Sequence, residues 1–535
     1  EIAAKRRLWI GDQGVDRWDP ELLQLFFPKD ETREIFATGG TGPNSSRFDD
    51  ELLLFAGSIK KGLLRNLLVN NVHLLLMTDV CGMITDGKKV SGALLACKHG
   101  VFTVKCRKFI DCSDNLLFSR NLIQQKYTVE KVGFVLELLG VDKPKKKIVK
   151  VPANLGLEGN EIRMHRGKNV NDQAFLEFQY TPESQKFEEI EVQSRLLAGE
   201  VGRNLKLIDD SLTKAKVHYY AYESSILLSG NTPLPVIDLG GYYLLENLQG
   251  ELDGEQLLAI RDSAAQCVKK IDFSGKGSPQ KRVHLAGQTF SLDSINPRQY
   301  NESNFSVPLR KCDGSIAERI HDSTGCQVVV GGSGTSGAPV AMGAAEMGAD
   351  VVAVDYFNDP GGTKTVGGVM GYYHGLRDNR FLDRLEGESD KLANEIGFNK
   401  KPGRQYYFLK WFKENNVKFL SGSIVCGSIV EDGRVKGILI CRNGKLEKVL
   451  GDIVVDSTGD GDIACFAGAG YRHGNDRNGM TQNYSQWNLA GGGKSPTPIT
   501  SDYDIIDNTK ISELQRGLFL SHYEAHFYDF HPYLT

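Results

Sequence analysis

The run CQVVVGGSGTSGAPVAMGAAEMGADVVAVD (Cys326 to Asp355) leaves few choices of fold. Its opening CQVVV is short, mostly apolar and β-branched, as expected of a strand buried on both faces. Gly332, Gly334 and Gly337 then follow in G-x-G-x-x-G spacing, with Thr335 and Ser336 inside the turn. The first glycine permits a tight turn. The second lets backbone approach a pyrophosphate with no Cβ between, and the third lets the next helix pack closely on the strand. Ala338, Ala341, Ala344, Ala345 and Gly348 keep that helix slim. Its N-terminus offers free N–H groups and the positive end of a dipole to an anion. A second strand, DVVAVD, ends on Asp355, placed where an acid accepts hydrogen bonds from a ribose. The expected unit is a parallel α/β sheet that grips a dinucleotide.

The rest of the chain limits what can surround that unit. Its 535 residues call for two to four domains. With 40% hydrophobic and 24% charged residues it reads as an ordinary globular protein, and a net charge of -3 argues against a nucleic-acid surface. The basic run KPKKKIVK (Lys143 to Lys150) reads as a solvated loop. None of the ten cysteines forms a C-x-x-C pair, so metal and cluster readings are weak and no metal site is expected. No apolar stretch is long enough for a membrane span. The compartment stays open, with free cysteines favouring the cytoplasm.

Two later stretches narrow the cofactor. NDPGGTKTVGGVMGYYHG (Asn358 to Gly375) is a long glycine-rich loop, which suits a flat cofactor lying along it. GDIVVDSTGDGDIACFAGAG (Gly451 to Gly470) is another buried strand, a sharp turn and a small-residue helix. Asp460 and Asp462 could accept from ribityl or ribose hydroxyls, or Asp462 could cap the helix. These residues resemble the FAD-dependent oxidoreductases of the two-dinucleotide-fold flavoprotein group. Within it they are closest to the subgroup whose second signature reads D-A-T-G-D-G-D, here with Ser457 in place of alanine. The likeness runs from about Cys326 to Trp487. It implies FAD as cofactor, with Gly332, Gly334, Thr335, Ser336, Gly337 and Asp355 on the ADP half. Gly361, Gly362 and Thr363 would lie beside the pyrophosphate or flavin, and Val425 would offer backbone to adenine. Thr458, Gly459 and Asp460 would complete the site. Asp355 stands where glutamate is common, which shortens its reach to the ribose. NAD at Gly332 is the alternative that the long loop and STGDGD speak against.

The sequence also repeats itself. NNVHLLLMTDVCGMITDGKKVSGALLA from Asn70 aligns without a gap with NNVKFLSGSIVCGSIVEDGRVKGILIC from Asn415, a separation of 345 residues (415 − 70). The register continues until Asp111 pairs with Asp456. Each copy reads as helix, strand, strand, polar hairpin turn, strand and further strand. Where the second copy has GDGD, the first has DNLL (Asp114 to Leu117). Two readings stay open for the first copy: a degenerate flavin domain kept for packing, partner binding or self-association, or a cofactor site completed by residues outside this sequence. The opening EIAAKRRLWIGDQG resembles the segment after the second glycine pair in the same flavoproteins. The chain is therefore expected to be a fragment lacking the first strand–turn–helix.

The expected fold class is α/β: a Rossmann-like FAD/NAD(P)-binding fold with a three-layer parallel sheet, present twice, plus mixed α/β substrate-type regions. The expected divisions are a degenerate module at 1–118, its mixed α/β remainder at 119–290, a linker at 291–320, the FAD-binding domain at 321–480 and an incomplete substrate domain from 481 to 535. EEIEVQSRLLAGEVGRNL and Gly254 to Ile271 have helical spacing, the latter resembling the helix that closes the flavin site. The segment past Thr500 is expected to be a helix. Tyr372, Tyr373 and His374 are the candidates near the ring, with Tyr373 and His374 as catalytic residues. Arg472, His473 and Arg477 could bind an acidic substrate. The activity implied is transfer of a hydride or electron pair between a small organic substrate and FAD. The alternative is a non-catalytic FAD-binding scaffold.

Overall fold

The computed structural model describes residues 72–145, 147–166, 172–229, 240–244, 323–369 and 380–472, strands at 281–285, 288–291, 298–299, 483–490 and 497–505, and a few isolated positions. The glycine unit forms as its sequence requires. Strand Ser323–Gly331 is flanked on one side by Val351–Val354 and then Lys418–Leu420, all parallel. On its other side lies Lys445–Asp456, also parallel to it. That long strand does two jobs. Its first half pairs antiparallel with Arg434–Arg442, which pairs antiparallel with Ser423–Glu431. The sheet is therefore mixed, four parallel strands continued by a three-stranded meander, and not parallel throughout as expected. Helix Gly337–Glu346 covers one face together with Arg380–Glu395 and Lys400–Glu414. Their contact with the sheet is a core of Val328, Val330, Ala341, Val351, Leu409 and Phe412.

The repeat is visible as hydrogen-bond register. In the first copy Asp79–Asp86, Lys89–Cys97 and Gly100–Lys105 form an antiparallel meander. Val80 pairs with Leu95 and Gly82 with Leu94; 345 residues on, Val425 pairs with Ile440 and Gly427 with Leu439. Both irregularities recur too, one at Cys81 and Cys426, the other just after Ile84 and Ile429. A bulge re-aims the strand and fixes its register, so a shared bulge pattern means a shared meander geometry. The two meanders pack on each other through equivalent side chains: Cys81, Leu94 and Ala96 meet Cys426, Leu439 and Cys441. Here free cysteine acts as a small hydrophobe, as the sequence suggested.

The copies differ beyond the meander. Phe109–Asp111 pairs in parallel with Tyr242–Leu244 alone, and the first meander is extended by Lys281–Leu285, Gln288–Ser291 and Arg298–Gln299. Among the described residues, a parallel sheet of more than two strands exists only in the second copy. Arg298–Gln299 also puts a strand inside the stretch expected to be a linker.

Between the copies lies a six-stranded antiparallel sheet built around Val129–Leu139, with helix Phe187–Arg203 on its face. The helical spacing of EEIEVQSRLLAGEV is thus realised. The basic run is only partly loop, because Lys147–Lys150 is this sheet's edge strand and both its lysines form ion pairs, with Asp209 and Glu161. Charged residues on an edge discourage pairing with other chains. This sheet leans on the second copy. A Cβ at Gly202 would collide with Ile396 and Phe398, and one at Gly199 with the Tyr406 ring. Past residue 481, Asn483–Ala490 pairs antiparallel with Thr497–Ile505, so the segment after Thr500 opens as strand and not helix. Of the helix expected over Gly254 to Ile271, only a few helical positions between 262 and 269 lie among the described residues.

Candidate functional site

The cradle is built from backbone. Gly332 turns at φ +85° directly against Ser457 and Thr458, and a side chain there would overlap the Ser457 carbonyl. A Cβ on Gly337 would overlap the Gly332 carbonyl, so the helix can start this close to the strand only with glycine. Gly334 differs: a Cβ built there would meet the Gly362 Cα only at 4.0 Å, leaving its outer side open. The second glycine loop closes over the first. Gly361 N–H donates to the Ser333 carbonyl at 2.8 Å, and Thr335 Oγ1 donates to the Gly361 carbonyl at 3.3 Å. Ser336 precedes the helix without a side-chain cap, and Thr363 sits in a short 3-10 turn, Gly362–Lys364. Gly332, Gly334, Thr335, Ser336, Gly337, Gly361, Gly362 and Thr363 therefore come together.

Asp355 closes the strand beside them, only 5% exposed. Burial pushes its pKa up to about 6, although the N–H groups of Phe357 and Ser333 and the nearby Lys98 pull the other way. Ser423, at the head of the meander, donates its N–H to the Asp355 carbonyl. Two residues on, Val425 is buried in the core with Val354 and Ile440.

Asp456 ends the long strand and organises the GDGD turn. Its Oδ1 accepts from Thr458 N–H (3.1 Å) and Thr458 Oγ1 (2.7 Å), and its Oδ2 accepts from Ala464 N–H (2.9 Å). Thr458 Oγ1 accepts in turn from Asp462 N–H. The helix Asp462–Ala467 is thus capped by Asp456 and Thr458, and not by the Asp462 side chain as one reading of the sequence had it. Asp460 and Asp462 are left for another partner. Lys98, at the tip of the first meander, places Nζ 2.6 Å from Asp460 Oδ2, 3.5 Å from Asp462 Oδ2 and 3.4 Å from the Thr458 carbonyl. Burial works against its ammonium, but the two carboxylates outweigh this and its pKa is raised. Sequence reasoning missed Lys98. The only signal was positional: it is the counterpart of Asn443 in the repeat.

The glycine loop is anchored from the middle sheet. Arg195, fully buried, donates Nε to Asp359 Oδ1 (2.8 Å) and reaches the Glu191 carboxylate as well. Tyr220 hydroxyl also donates to Asp359, and Asn358 donates to the Tyr222 carbonyl. This anchoring too was invisible in the sequence, because its partners are 164 and 139 residues apart.

Tyr372, Tyr373, His374, His473 and Arg477 lie outside the described residues, so the expected catalytic positions have no structural account. Arg472 is exposed. Among the described residues no group of acidic, histidine and cysteine side chains could hold a metal, and no helix is long and apolar enough to cross a membrane.

The residues present fit a dinucleotide. Gly334 leaves space in front of bare backbone, a helix of ten residues starts at Gly337, and the fully buried Ser333 Oγ has no hydrogen-bond partner among the described residues. Residues 327–524 match the family model described as FAD dependent oxidoreductase. This segment, well under half of the chain, is similar to the FAD-dependent oxidoreductases. No curated protein matches the sequence. Three of the solved structures that parts of the chain match are the following. The first is a 3-ketosteroid-delta4-(5alpha)-dehydrogenase from Rhodococcus jostii RHA1, at 15% identity, covering 27% of this chain and 48% of that one with a TM-score of 0.21. The second is a geranylgeranyl bacteriochlorophyll reductase-like protein from Thermoplasma acidophilum, at 15% identity, 38% and 62% coverage and a TM-score of 0.23. The third is L-proline dehydrogenase from P. horikoshii, at 13% identity, 37% and 77% coverage and a TM-score of 0.23. The chain thus spans about half to two thirds of the first two, and none of these likenesses bears on substrate.

Proposed function

We propose that the chain is a flavoenzyme that moves a hydride or electron pair between a small organic substrate and FAD. One observation carries the reading: a side-chain-free cradle at Gly332, Gly334 and Gly337, closed by Gly361 and Gly362 and flanked by Asp355 and the Asp456-ordered turn. In this reading the cradle N–H groups and the helix start hold the diphosphate. Ser333 Oγ is an available donor, Asp355 accepts from the adenosine ribose, and Asp460 accepts from hydroxyls of the ribityl chain. Val425, buried in one core with Val354, would flank adenine through its backbone. Thr458 keeps the turn in shape through Asp456. When bound, FAD supplies the two-electron chemistry, while the protein supplies position and electrostatics.

The test is an absorbance spectrum of the purified protein followed by anaerobic titration with candidate donors. The reading expects a flavin spectrum that bleaches with at least one organic donor. A flavin spectrum that no donor bleaches would favour the non-catalytic scaffold. Protein that is colourless and takes up no added FAD would sink both. Self-association through the first half must use a surface other than the meander face, which the second meander already covers.

A further inference from the structure

The two hairpin tips reach across reciprocally, each into the other copy. Lys98 meets the turn after Asp456. Its counterpart Asn443 (98 + 345) meets the corresponding segment of the first copy, its carbonyl accepting from Asn121 Nδ2. Gly444 beside it lies 3.2 Å, by its would-be Cβ, from the Val80 carbonyl. The turns after Asp456 and Asp111 share one left-handed position. Gly461 turns at φ +73°, and its counterpart Leu116 keeps a left-handed φ of +52° despite its side chain. The charges differ: the first copy has Asp114 where the second has Gly459, and Asn115 and Leu117 where it has Asp460 and Asp462. Asp460 and Asp462 lie against a lysine, whereas Asn115 donates its amide to the Ile226 carbonyl.

A cation thus meets two carboxylates at one tip, while the other tip meets the opposite copy through a backbone carbonyl. A purely structural tip contact would need no such match, since Asn443 makes one without charge. The cradle poses a specific electrostatic problem. Asp355, Asp460 and Asp462 all lie near Lys98, beside the cradle where a diphosphate would add further negative charge. Lys98 stands among them, its Nζ also 6.0 Å from the centre of the Tyr356 ring. We propose that Lys98 belongs to the cofactor site of the other copy: its ammonium supplies the positive charge that lets a dianionic diphosphate sit beside those carboxylates. The first meander then has a function in cofactor binding without holding a cofactor itself. The inference rests on the FAD reading above and goes beyond it by recruiting a residue from outside the matched segment.

The experiment uses the full chain stripped of flavin, titrated with FAD and followed by quenching of free-FAD fluorescence. Thermal unfolding of each apo variant checks folding. We expect Lys98→Met to weaken FAD binding by about tenfold or more and to flatten its dependence on ionic strength, while Lys98→Arg stays within about threefold of wild type. Combining Lys98→Met with Asp462→Asn should recover part of the loss, because an uncompensated carboxylate goes too. Wild-type binding together with unchanged affinity in a folded Lys98→Met protein overturns this proposal and leaves the FAD reading intact. If Lys98→Met unfolds the apo protein, the Lys98→Arg and double variants decide: loss of affinity in Lys98→Arg, or no recovery in the double variant, overturns it. Failure of the wild type to bind FAD removes both.

Discussion

Asp111 and Asp456, 345 residues apart, make the same hydrogen bonds. Asp111 Oδ1 accepts from Ser113 N–H and Oγ at 2.9 and 2.6 Å, and its Oδ2 accepts from Ser119 N–H at 2.9 Å. Asp456 does this to Thr458 and Ala464, their counterparts. In each copy one carboxylate ends a strand, shapes a turn and caps the helix beyond it.

Both aspartates should therefore matter for stability and only one for the cofactor. We expect Asp111→Ala and Asp456→Ala each to cost about 1–3 kcal/mol in urea unfolding, the range for a lost cap with charge-assisted bonds. Asp456→Ala should also weaken FAD binding, and Asp111→Ala should not. Equal FAD affinity in the two variants would contradict the division of labour.

Two glycines of the cradle should separate folding from binding. A methyl at Gly337 overlaps the Gly332 carbonyl, so Gly337→Ala should destabilise the apo protein by about 1–3 kcal/mol and abolish FAD binding. A methyl at Gly334 meets open space, so Gly334→Ala should stay within about 0.5 kcal/mol of wild type yet bind FAD poorly. A Gly334→Ala protein with normal affinity would place the diphosphate elsewhere.

Asp355 gives a pH signature. Its carboxyl is pushed up to about 6 by burial, against about 3.9 for an unfolded aspartate. The folded state then holds the proton more tightly than the unfolded one. Its cost to stability is absent below about pH 4, grows as pH rises to 6 and is complete above that. Asp355→Asn should accordingly make the apo protein more stable at pH 8, by at most about 3 kcal/mol, with the gain vanishing near pH 4. Denaturant melts at the two pH values read the difference, and the same variant should lose FAD affinity.

Arg195 shares its buried charge with Glu191 and Asp359. Arg195→Met strands two carboxylates and should cost about 3–5 kcal/mol at pH 7. The deficit should be smaller in Arg195→Lys, which keeps the cation. Because Asp359 sits on the glycine loop, FAD affinity should fall in Arg195→Met. An equal deficit in Arg195→Lys would mean that packing, and not charge, is what Arg195 supplies.

What the sequence determined was local or periodic. The strand–glycine–helix–strand unit was legible because backbone approach demands glycine at particular positions, and Gly332 and Gly337 meet that demand by steric contact. The gapless repeat foretold the shared meander, since a two-residue period and shared bulge positions fix strand register. What tertiary structure alone decided was partnership. That Lys98 lies on Asp460, that Arg195 holds Asp359, and that the middle sheet leans on the second copy are contacts between residues far apart in the chain. A side chain's type says which charge it carries. Only the packing of the two meanders and the middle helix says which opposite charge it will meet.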